Sequence, residues 1–317
     1  MPAIFSKAPA KLILLGEHAV VYGYPAIAVP IRSLWLKATC QANIRQPRGF
    51  TVGAPQLEFD GNLSDLPKTH PLQIAIALTL KQLEIGEIPS MHLQINANFP
   101  FSSGLGSSAA LAVAVIRALS SFLGHPLDLP TVNKIAYQVE ISAHGTPSGV
   151  DNSVISYNQP IWFVKGQTPT VLGAGSDFHF VIADTGIKKS TAITVGDLAD
   201  RRAEAPEGIN NHYDAIAKIT SRGLVAFEFG DLEEFGGLMN ENQTHLAALG
   251  LSCPELDSLI DASLRAGALG AKLTGGGRGG FMVALAPSAE TSAISQALLK
   301  AGAKQVNDVP ILEDDKN

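Results

Sequence analysis

The chain has 317 residues, of which 46% are hydrophobic and 16% are charged, so it can bury a sizeable core and a disordered chain is excluded. Its net charge of -6 offers no basic face, so we expect no nucleic-acid partner. Cys40 and Cys253 form neither a CxxC pair nor a disulfide framework, which favours a cytoplasmic location.

The N-terminal segment is predicted to carry neither a secretory leader nor a membrane anchor. The apolar run after Lys11 is only four residues long, whereas a leader needs about 7–15 apolar residues. The longest apolar run, around residues 109–116, is well short of the roughly 20 residues of a membrane span. We therefore expect no membrane partner.

Strands and helices are predicted to alternate in the first half of the chain. Apolar clusters and alternation predict strands at 10–16, 26–31, 35–44, 91–99, 153–157 and 160–164. Helical periodicity predicts helices at 71–83 and 107–123. A third helix is expected within 129–145, with Thr131 as its N-cap and Gly145 just past its end.

The second half follows a glycine- and proline-rich stretch at 165–177, which is the best candidate for a domain boundary. We expect one domain at 1–172 and another at 173–317. A strand is predicted at 178–184, helices near 207–222, 231–248 and 254–266, then strand, glycine loop and strand over 270–286, and a helix at 288–301. Because strict βαβ alternation is missing, the pattern predicts two α+β domains.

The stretch PFSSGLGSSAA, residues 100–110, is a glycine-serine turn that leads into a helix. Gly104 and Gly106 allow a tight turn, and Ser107 and Ser108 lie where the first helical N–H groups have no intrahelical partner. Such a helix end carries about +0.5 charge and suits an anion. On these residues alone, a phosphate loop, a dinucleotide-binding turn and a turn without ligand remain open, although the acid nearest the dinucleotide spacing, Asp128, lies in a loop before a helix.

Two other segments carry polar residues next to apolar strands or helices. Lys11 opens an apolar strand that is followed by Glu17 and His18, which could bind a ligand or be a solvated strand end and turn caps. Glu140 and Asp151 flank a Pro-Ser-Gly turn that could bring both carboxylates to one pocket. Near a phosphate loop such a pair suggests Mg²⁺ and a general base, against the alternative of a helix C-terminal loop.

Residues 275–280 contain five glycines in six positions, which is more than a hairpin requires and allows close approach of the backbone. The eight histidines show no HExxH spacing, and no GxSxG elbow is present. A zinc enzyme and a serine hydrolase are therefore disfavoured.

In chain order, the segments PAKLILLGEHAVVYG, PFSSGLGSSAA, HGTPSGVDN and KLTGGGRGGF resemble the signature segments of the GHMP small-molecule kinases. This family is named for galactokinase, homoserine kinase, mevalonate kinase and phosphomevalonate kinase, and the resemblance runs from residue 8 to about 285. LGEHAVVYG, HGTPSGVDN and DTGIKKST are most similar to the mevalonate kinases in it, and GEHAVV disfavours a galactokinase. The resemblance implies an α+β, two-domain GHMP kinase fold, with a ribosomal S5 domain 2-like N-terminal domain and a ferredoxin-like C-terminal domain.

The resemblance also implies an activity, ATP-dependent phosphorylation of the C5 hydroxyl of mevalonate for isoprenoid biosynthesis. Asp151 would accept or orient the hydroxyl proton, and Lys11 would lie between that hydroxyl and the γ-phosphate. Ser108 and Glu140 would bind Mg²⁺. The glycine loop would close on the phosphates and the substrate.

Further contacts follow from the same resemblance. The residues implied for ATP are Pro100, Ser102, Ser103, Gly104, Leu105, Gly106, Ser107, Ser108, Gly275, Gly276 and Gly277. Those implied for the substrate are Lys11, Glu17, His18, Ser148, Asp151 and Thr191.

The chain departs from the family pattern at three positions, one of which is Phe281, where the family usually has a small residue or cysteine. Arg278 stands where the family usually has glycine or alanine, and it could point to solvent or act as an added cation over the phosphates or the substrate carboxylate. Lys189 stands where an arginine is often found. Three alternative functions stay open: a GHMP kinase for a sugar or homoserine, a nicotinamide oxidoreductase, and a catalytically inactive binding protein. Whether the chain forms a homodimer stays open as well.

Overall fold

The protein is described by a computed structural model over residues 3–43, 49–87, 90–101, 104–187 and 191–311, without the side chains of residues 144, 191 and 192. The chain packs into two compact units. The first comprises Met1–Lys11 and Pro30–Asn158, and the second comprises Leu12–Val29 and Gln159–Asn317. The predicted domain boundary after residue 172 stays a prediction.

The first unit contains a mixed β-sheet with strand order β4-β3-β5-β2, and β1 pairs with β2. The strands are β1 (Ile4–Leu15), β2 (Ala26–Ala42), β3 (Phe50–Ala54), β4 (Phe59–Asn62) and β5 (Met91–Ala97), of which β1 and β2 continue into the second unit. Strand β3 runs parallel to β5, whereas the β2–β5 and β3–β4 pairs are antiparallel. In β5 every second residue is buried, at Met91, Leu93 and Ile95, as expected for a strand with one covered face.

Four helices complete the first unit: α1 (Pro71–Gln82), α2 (Ser107–Phe122), α3 (Leu129–His144) and α4 (Val150–Tyr157). Helix α2 contacts the other three. Its sequence is almost entirely alanine, valine, leucine and serine, and most of its side chains are buried. Because α2 is enclosed on several sides, its N-terminal end is held in a fixed place beside α3 and α4.

The second unit begins with a short antiparallel ribbon. Residues Ala26–Ala28 of β2 pair with β6 (Ile161–Phe163), and β6 pairs with β7 (Thr170–Val171). A short 3₁₀ helix at Ala19–Tyr22 follows the end of β1.

A four-stranded antiparallel sheet with strand order β11-β8-β10-β9 forms the larger part of the second unit. Its strands are β8 (Phe178–Asp184), β9 (Gly270–Leu273), β10 (Phe281–Ala286) and β11 (Gln305–Ile311). Its helices are α5 (Thr191–Glu204), α6 (Pro206–Phe229), α7 (Leu232–Ala248), α8 (Pro254–Arg265) and α9 (Thr291–Lys300). Sheet residues such as Val181 and Met282 pack with helix residues such as Tyr213 and Leu256 in one core. The glycine loop 275–280 joins β9 to β10.

The predicted α+β fold class is confirmed, but several predicted elements are wrong. Residues 153–157, predicted as a strand, belong to helix α4, because Gly149 in the left-handed region (φ 93°) starts a helix there. The N-cap of α3 is Asp128 and not Thr131, since the Asp128 carboxylate accepts the Thr131 backbone N–H at 3.0 Å.

In other places one observed strand was predicted as two, or an observed element was not predicted. The strands predicted at 26–31 and 35–44 form one strand, β2, whereas Ile44 lies outside the described residues. Strands β3, β4, β7 and β11 and helix α5 were not predicted. These are short or mostly polar segments, and their hydrophobic periodicity is weak. Within the described ranges, no helix has the length and apolar character needed to cross a membrane.

Candidate active site

Lys11 and Asp151 form an ion pair in the first unit. The Lys11 Nζ lies 3.0 Å from the Asp151 Oδ1, and the Asp151 side chain is 33% exposed while that of Lys11 is 5% exposed. Strand β1 places Lys11, whose backbone N–H donates to the Leu105 carbonyl at 3.0 Å, and the first turn of α4 places Asp151. A buried cation is costly without a partner, so Asp151 stabilises it and still presents a carboxylate to solvent.

The start of helix α2 is shaped by two glycines. Gly106 is the N-cap residue and has φ 79°, a conformation that favours glycine. A Cβ at Gly106 would lie 2.7 Å from the Lys11 Cγ, so glycine is also needed for the close approach of the lysine. At Gly104 (φ 80°) a Cβ would meet no atom of the described residues within 4 Å. Helix α2 begins here, and the start of a helix is a geometry that accepts an anion.

Ser108 and Glu140 bring two oxygen donors together. The Ser108 Oγ donates to the Glu140 Oε1 at 2.6 Å, and Glu140 is buried on α3. The described part of the chain has no cluster of three or more His, Cys, Asp and Glu residues able to hold a metal ion. Mg²⁺ binds hard oxygen ligands, commonly one or two from the protein with phosphate and water for the rest. The hydroxyl and carboxylate therefore fit Mg²⁺ as a partial ligand set.

Glu17 and Lys272 form a buried ion pair in the second unit. The Glu17 Oε1 accepts from the Lys272 Nζ, and the Asn242 Nδ2 donates to the Glu17 Oε2 at 3.4 Å. The Lys272 Nζ also donates to the Leu273 carbonyl at 2.6 Å. Burial lowers the pKa of Lys272, and the Glu17 charge opposes this shift. Both carboxylate oxygens of Glu17 thus have partners within the unit.

His18 lies beside the glycine loop in a strained conformation. Its φ is 60°, which is uncommon for a residue other than glycine, and its Nε2 lies 3.1 Å from the Gly276 carbonyl oxygen. Because a carbonyl only accepts, the Nε2 must carry the proton. Burial lowers the pKa of His18 to about 4, so the ring is neutral at pH 7. The side chain therefore holds the loop through a neutral hydrogen bond.

The glycines of the loop 275–280 are required by packing inside the second unit. A Cβ at Gly277 would lie 2.4 Å from the Leu251 carbonyl oxygen, and one at Gly279 would lie 2.8 Å from the Ile187 carbonyl oxygen. The Gly280 N–H donates to the same Ile187 carbonyl at 2.9 Å. Some of these glycines are therefore needed for the close contacts that the loop makes within the second unit.

The Arg278 side chain is 29% exposed and is paired within the second unit. Its Nη1 lies 2.5 Å from the Asp197 Oδ2, and its Nε donates to the Gly250 carbonyl at 3.1 Å. The prediction that it points to solvent at the loop tip is wrong for the guanidinium, which has protein partners.

The remaining predicted site residues are placed as follows. Leu105 is buried, and Pro100 is exposed. The Ser148 Oγ accepts from the Val150 N–H at 3.3 Å, just before Asp151. Thr191 is the first residue of α5, and its side chain lies outside the described part, as do residues Ser102, Ser103 and Lys189.

Sequence reasoning missed the partners that fix these residues. Lys272 lies in the apolar strand β9 and is fully buried. A single lysine in an apolar strand is unusual, and this pattern could have marked Lys272 as a paired residue. Asn242 and Asp197 lie in ordinary helical sequence, and nothing in their local pattern marks them.

Comparisons with known proteins agree with this arrangement. The family model described as GHMP kinases N terminal domain matches residues 72–159, and the GHMP kinases C terminal model matches residues 222–304. The mevalonate kinase of Thermococcus sibiricus is 34% identical over 317 residues, covering 94% of this chain and 93% of the relative. The crystal structure of L. major mevalonate kinase in complex with R-mevalonate has 32% identity and a TM-score of 0.83, covering 97% of this chain and 95% of that one. The Methanococcus jannaschii mevalonate kinase structure has 27% identity and a TM-score of 0.86, covering 98% of both chains.

The chain belongs to the GHMP kinase family and is an ATP-dependent kinase, which confirms the prediction from its four signature segments. The relatives that it resembles over nearly their whole length are mevalonate kinases. The alternative of a nicotinamide oxidoreductase is wrong, and Asp128, the acid it needed, caps helix α3.

Proposed function

We propose that the chain transfers the γ-phosphate of ATP to the C5 hydroxyl of mevalonate, giving 5-phosphomevalonate and ADP for isoprenoid biosynthesis. The relatives named mevalonate kinase confirm the predicted activity. The observation that carries the chemistry is the Lys11–Asp151 pair at 3.0 Å, in the same unit as the Ser108–Glu140 pair at 2.6 Å. Phosphoryl transfer depends on positioning and charge neutralisation, and these two pairs supply a cation, a base and a metal ligand set.

Asp151 is proposed to accept or orient the proton of the C5 hydroxyl. Its partial exposure leaves a carboxylate oxygen available to a substrate, and Lys11 lies 3.0 Å from its Oδ1. A lysine ammonium has three N–H donors, so Lys11 can bind Asp151 and still donate to the hydroxyl or to a phosphate oxygen. A general base of this kind contributes about 10²–10⁴-fold to the rate.

The ATP phosphates are proposed to bind the backbone of Gly104 to Ser108, at the positive end of α2. Left-handed glycines at 104 and 106 shape the turn that leads into this helix start, and the positive end of a helix favours an anion. Glycine loop residues 275–277 are also proposed to bind ATP through backbone donors. Pro100, Ser102 and Ser103 complete the proposed ATP contacts.

Ser108 and Glu140 are the residues proposed to hold Mg²⁺. When bound, this ion neutralises phosphate charge during transfer. In the protein alone, the Ser108 hydroxyl satisfies the buried Glu140 carboxylate, which keeps both oxygens in position.

The substrate residues are proposed to include Glu17, His18, Ser148 and Thr191. Because both Glu17 oxygens have partners, we assign Glu17 a positioning role that holds the start of the segment containing His18. We propose the cytoplasm as the location of the enzyme, and a homodimer remains an open alternative.

The test is release of ADP from ATP with mevalonate, galactose and homoserine measured side by side. We expect ADP with mevalonate only. ADP with galactose or homoserine in its place would establish a GHMP kinase of different specificity, and no ADP with any alcohol would establish a catalytically inactive binding protein.

A further inference from the structure

Arg278 is an unusual residue for its place in the glycine loop. It is flanked by glycines and has φ 58°, in the left-handed region that favours glycine. A residue with a Cβ is strained in this conformation. The contacts of the Arg278 side chain must therefore compensate for the strain.

The contacts of Arg278 tie the loop to two other segments of the second unit. Its backbone N–H donates to the Leu251 carbonyl at 2.7 Å, and its Nε donates to the Gly250 carbonyl at 3.1 Å, in the connection between α7 and α8. Its Nη1 lies 2.5 Å from the Asp197 Oδ2 on helix α5. The backbone hydrogen bond persists with any residue, whereas the link to α5 depends on the guanidinium alone.

We propose that Arg278 is a positioning residue that fixes the glycine loop 275–280 to helix α5 and thereby preorganises the loop for the ATP phosphates. The inference rests on the proposed function, in which loop residues 275–277 bind ATP. A loop held in its binding conformation before the ligand arrives avoids the ordering cost on binding. Arg278 therefore acts on the affinity for ATP and not on the transfer step.

The competing explanation is that the guanidinium binds a phosphate directly. The observed contacts disfavour it, because the Nε and Nη1 already have acceptors and Asp197 neutralises the charge. The two explanations differ in what Asp197 does. If Arg278 fixes the loop, removing Asp197 weakens ATP binding, whereas if Arg278 binds phosphate, removing Asp197 releases the guanidinium for the ligand.

The experiment compares Arg278→Met, Asp197→Ala and the double variant by steady-state kinetics. Methionine keeps the length of the side chain and the same backbone strain, whereas glycine would also relieve the strain. We expect each single variant to raise the KM for ATP by roughly 2- to 5-fold with kcat little changed, because a partly exposed pair is worth at most about that much. The double variant should be no worse than either single variant, since both remove the same link.

Two further variants sharpen the comparison. Arg278→Lys keeps the charge without the planar fork and should restore part of the ATP affinity. Arg222→Met is the matched control, because Arg222 is paired with Glu234 and Glu241 on α7 and has no contact with the loop among those described. It should leave both kinetic constants unchanged.

The inference would be overturned if Asp197→Ala left the KM for ATP unchanged while Arg278→Met raised it, or if neither changed it. Calorimetric binding of ADP gives a second measurement that does not need the acceptor alcohol. If the wild-type protein failed to phosphorylate mevalonate, the proposed function would fail, and the same variants would still test the loop through ADP affinity.

Discussion

The substitution Gly106→Ala tests whether the position of the Lys11 side chain depends on the space that glycine leaves at residue 106. Gly106 has φ 79°, so an alanine there is strained by about 1–2 kcal/mol. Its Cβ would lie 2.7 Å from the Lys11 Cγ and 3.0 Å from the Ile155 Cδ1. Carbon atoms in ordinary contact need about 3.5–4.0 Å, so the Lys11 side chain must move by about 1 Å.

This displacement acts on the group paired with Asp151. The Lys11 Nζ lies 3.0 Å from the Asp151 Oδ1, and a shift of about 1 Å in a catalytic group costs up to about 10²-fold in rate. We therefore expect Gly106→Ala to lower kcat by about 10- to 100-fold. The assay is steady-state ADP release with saturating ATP and mevalonate, together with the free energy of unfolding in urea.

Gly124→Ala is the matched control for backbone strain. Gly124 has φ 84°, and a Cβ there would meet no atom of the described residues within 4 Å, so we expect the same strain without the clash. It should lose about 1–2 kcal/mol of stability and keep its kcat. An unchanged kcat in Gly106→Ala, with the expected loss of stability, would refute the reasoning that Lys11 is held in place by this glycine.

Four further predictions follow from the described contacts. Asp151→Asn should lower kcat by at least about 10²-fold with the KM for ATP little changed, because the proposed general base is lost while the proposed phosphate site remains. Glu140→Gln should require more Mg²⁺ for half-maximal activity, since a neutral amide is a weaker ligand than a carboxylate. Lys272→Met should lower the free energy of unfolding by about 3–5 kcal/mol, because it leaves the Glu17 carboxylate buried and uncompensated. Because the pKa of His18 is lowered from 6.5 to about 4, the folded state binds fewer protons, and about 3 kcal/mol of stability should be lost as the pH falls from near 6.5 through 4.

Each of these predictions has a control and a contradicting result. Near-wild-type turnover of Asp151→Asn, or an unchanged Mg²⁺ titration of Glu140→Gln, would remove the role assigned to that residue. The double variant Glu17→Gln, Lys272→Met should recover most of the lost stability, and no recovery would argue against the ion pair. His18→Asn, which tolerates the left-handed backbone, should lack this part of the pH dependence, and an identical urea profile with pH in both proteins would contradict the pKa shift.

The sequence predicted the elements whose pattern is long and strongly apolar. Helix α2, the strand pair around the glycine loop and helices α6 to α9 follow from periodicity, because burial of one face requires it. The five residues 153–157 show why short segments fail, since a run of that length fits a strand and a helix equally well. There the left-handed Gly149 decides the outcome, and a φ angle is not visible in sequence.

The sequence predicted which residue types belong to the candidate site, but not which residues they contact. The signature segments identified Lys11 and Asp151, but their 3.0 Å contact depends on how β1, α2 and α4 pack. Glu17 was expected to face the substrate, whereas the structure gives both of its oxygens partners from distant segments. Pairing across such sequence separations is determined by the tertiary fold, and local pattern carries no signal for it.

Product analysis of the wild-type enzyme with ATP, Mg²⁺ and mevalonate tests the central claim most directly. Phosphorus NMR should show one new phosphomonoester on the C5 oxygen, formed in equal amount to ADP, and Asp151→Asn should form it at least about 10²-fold more slowly. Absence of this product while another alcohol is phosphorylated, or a product phosphorylated at a different oxygen, would contradict the account.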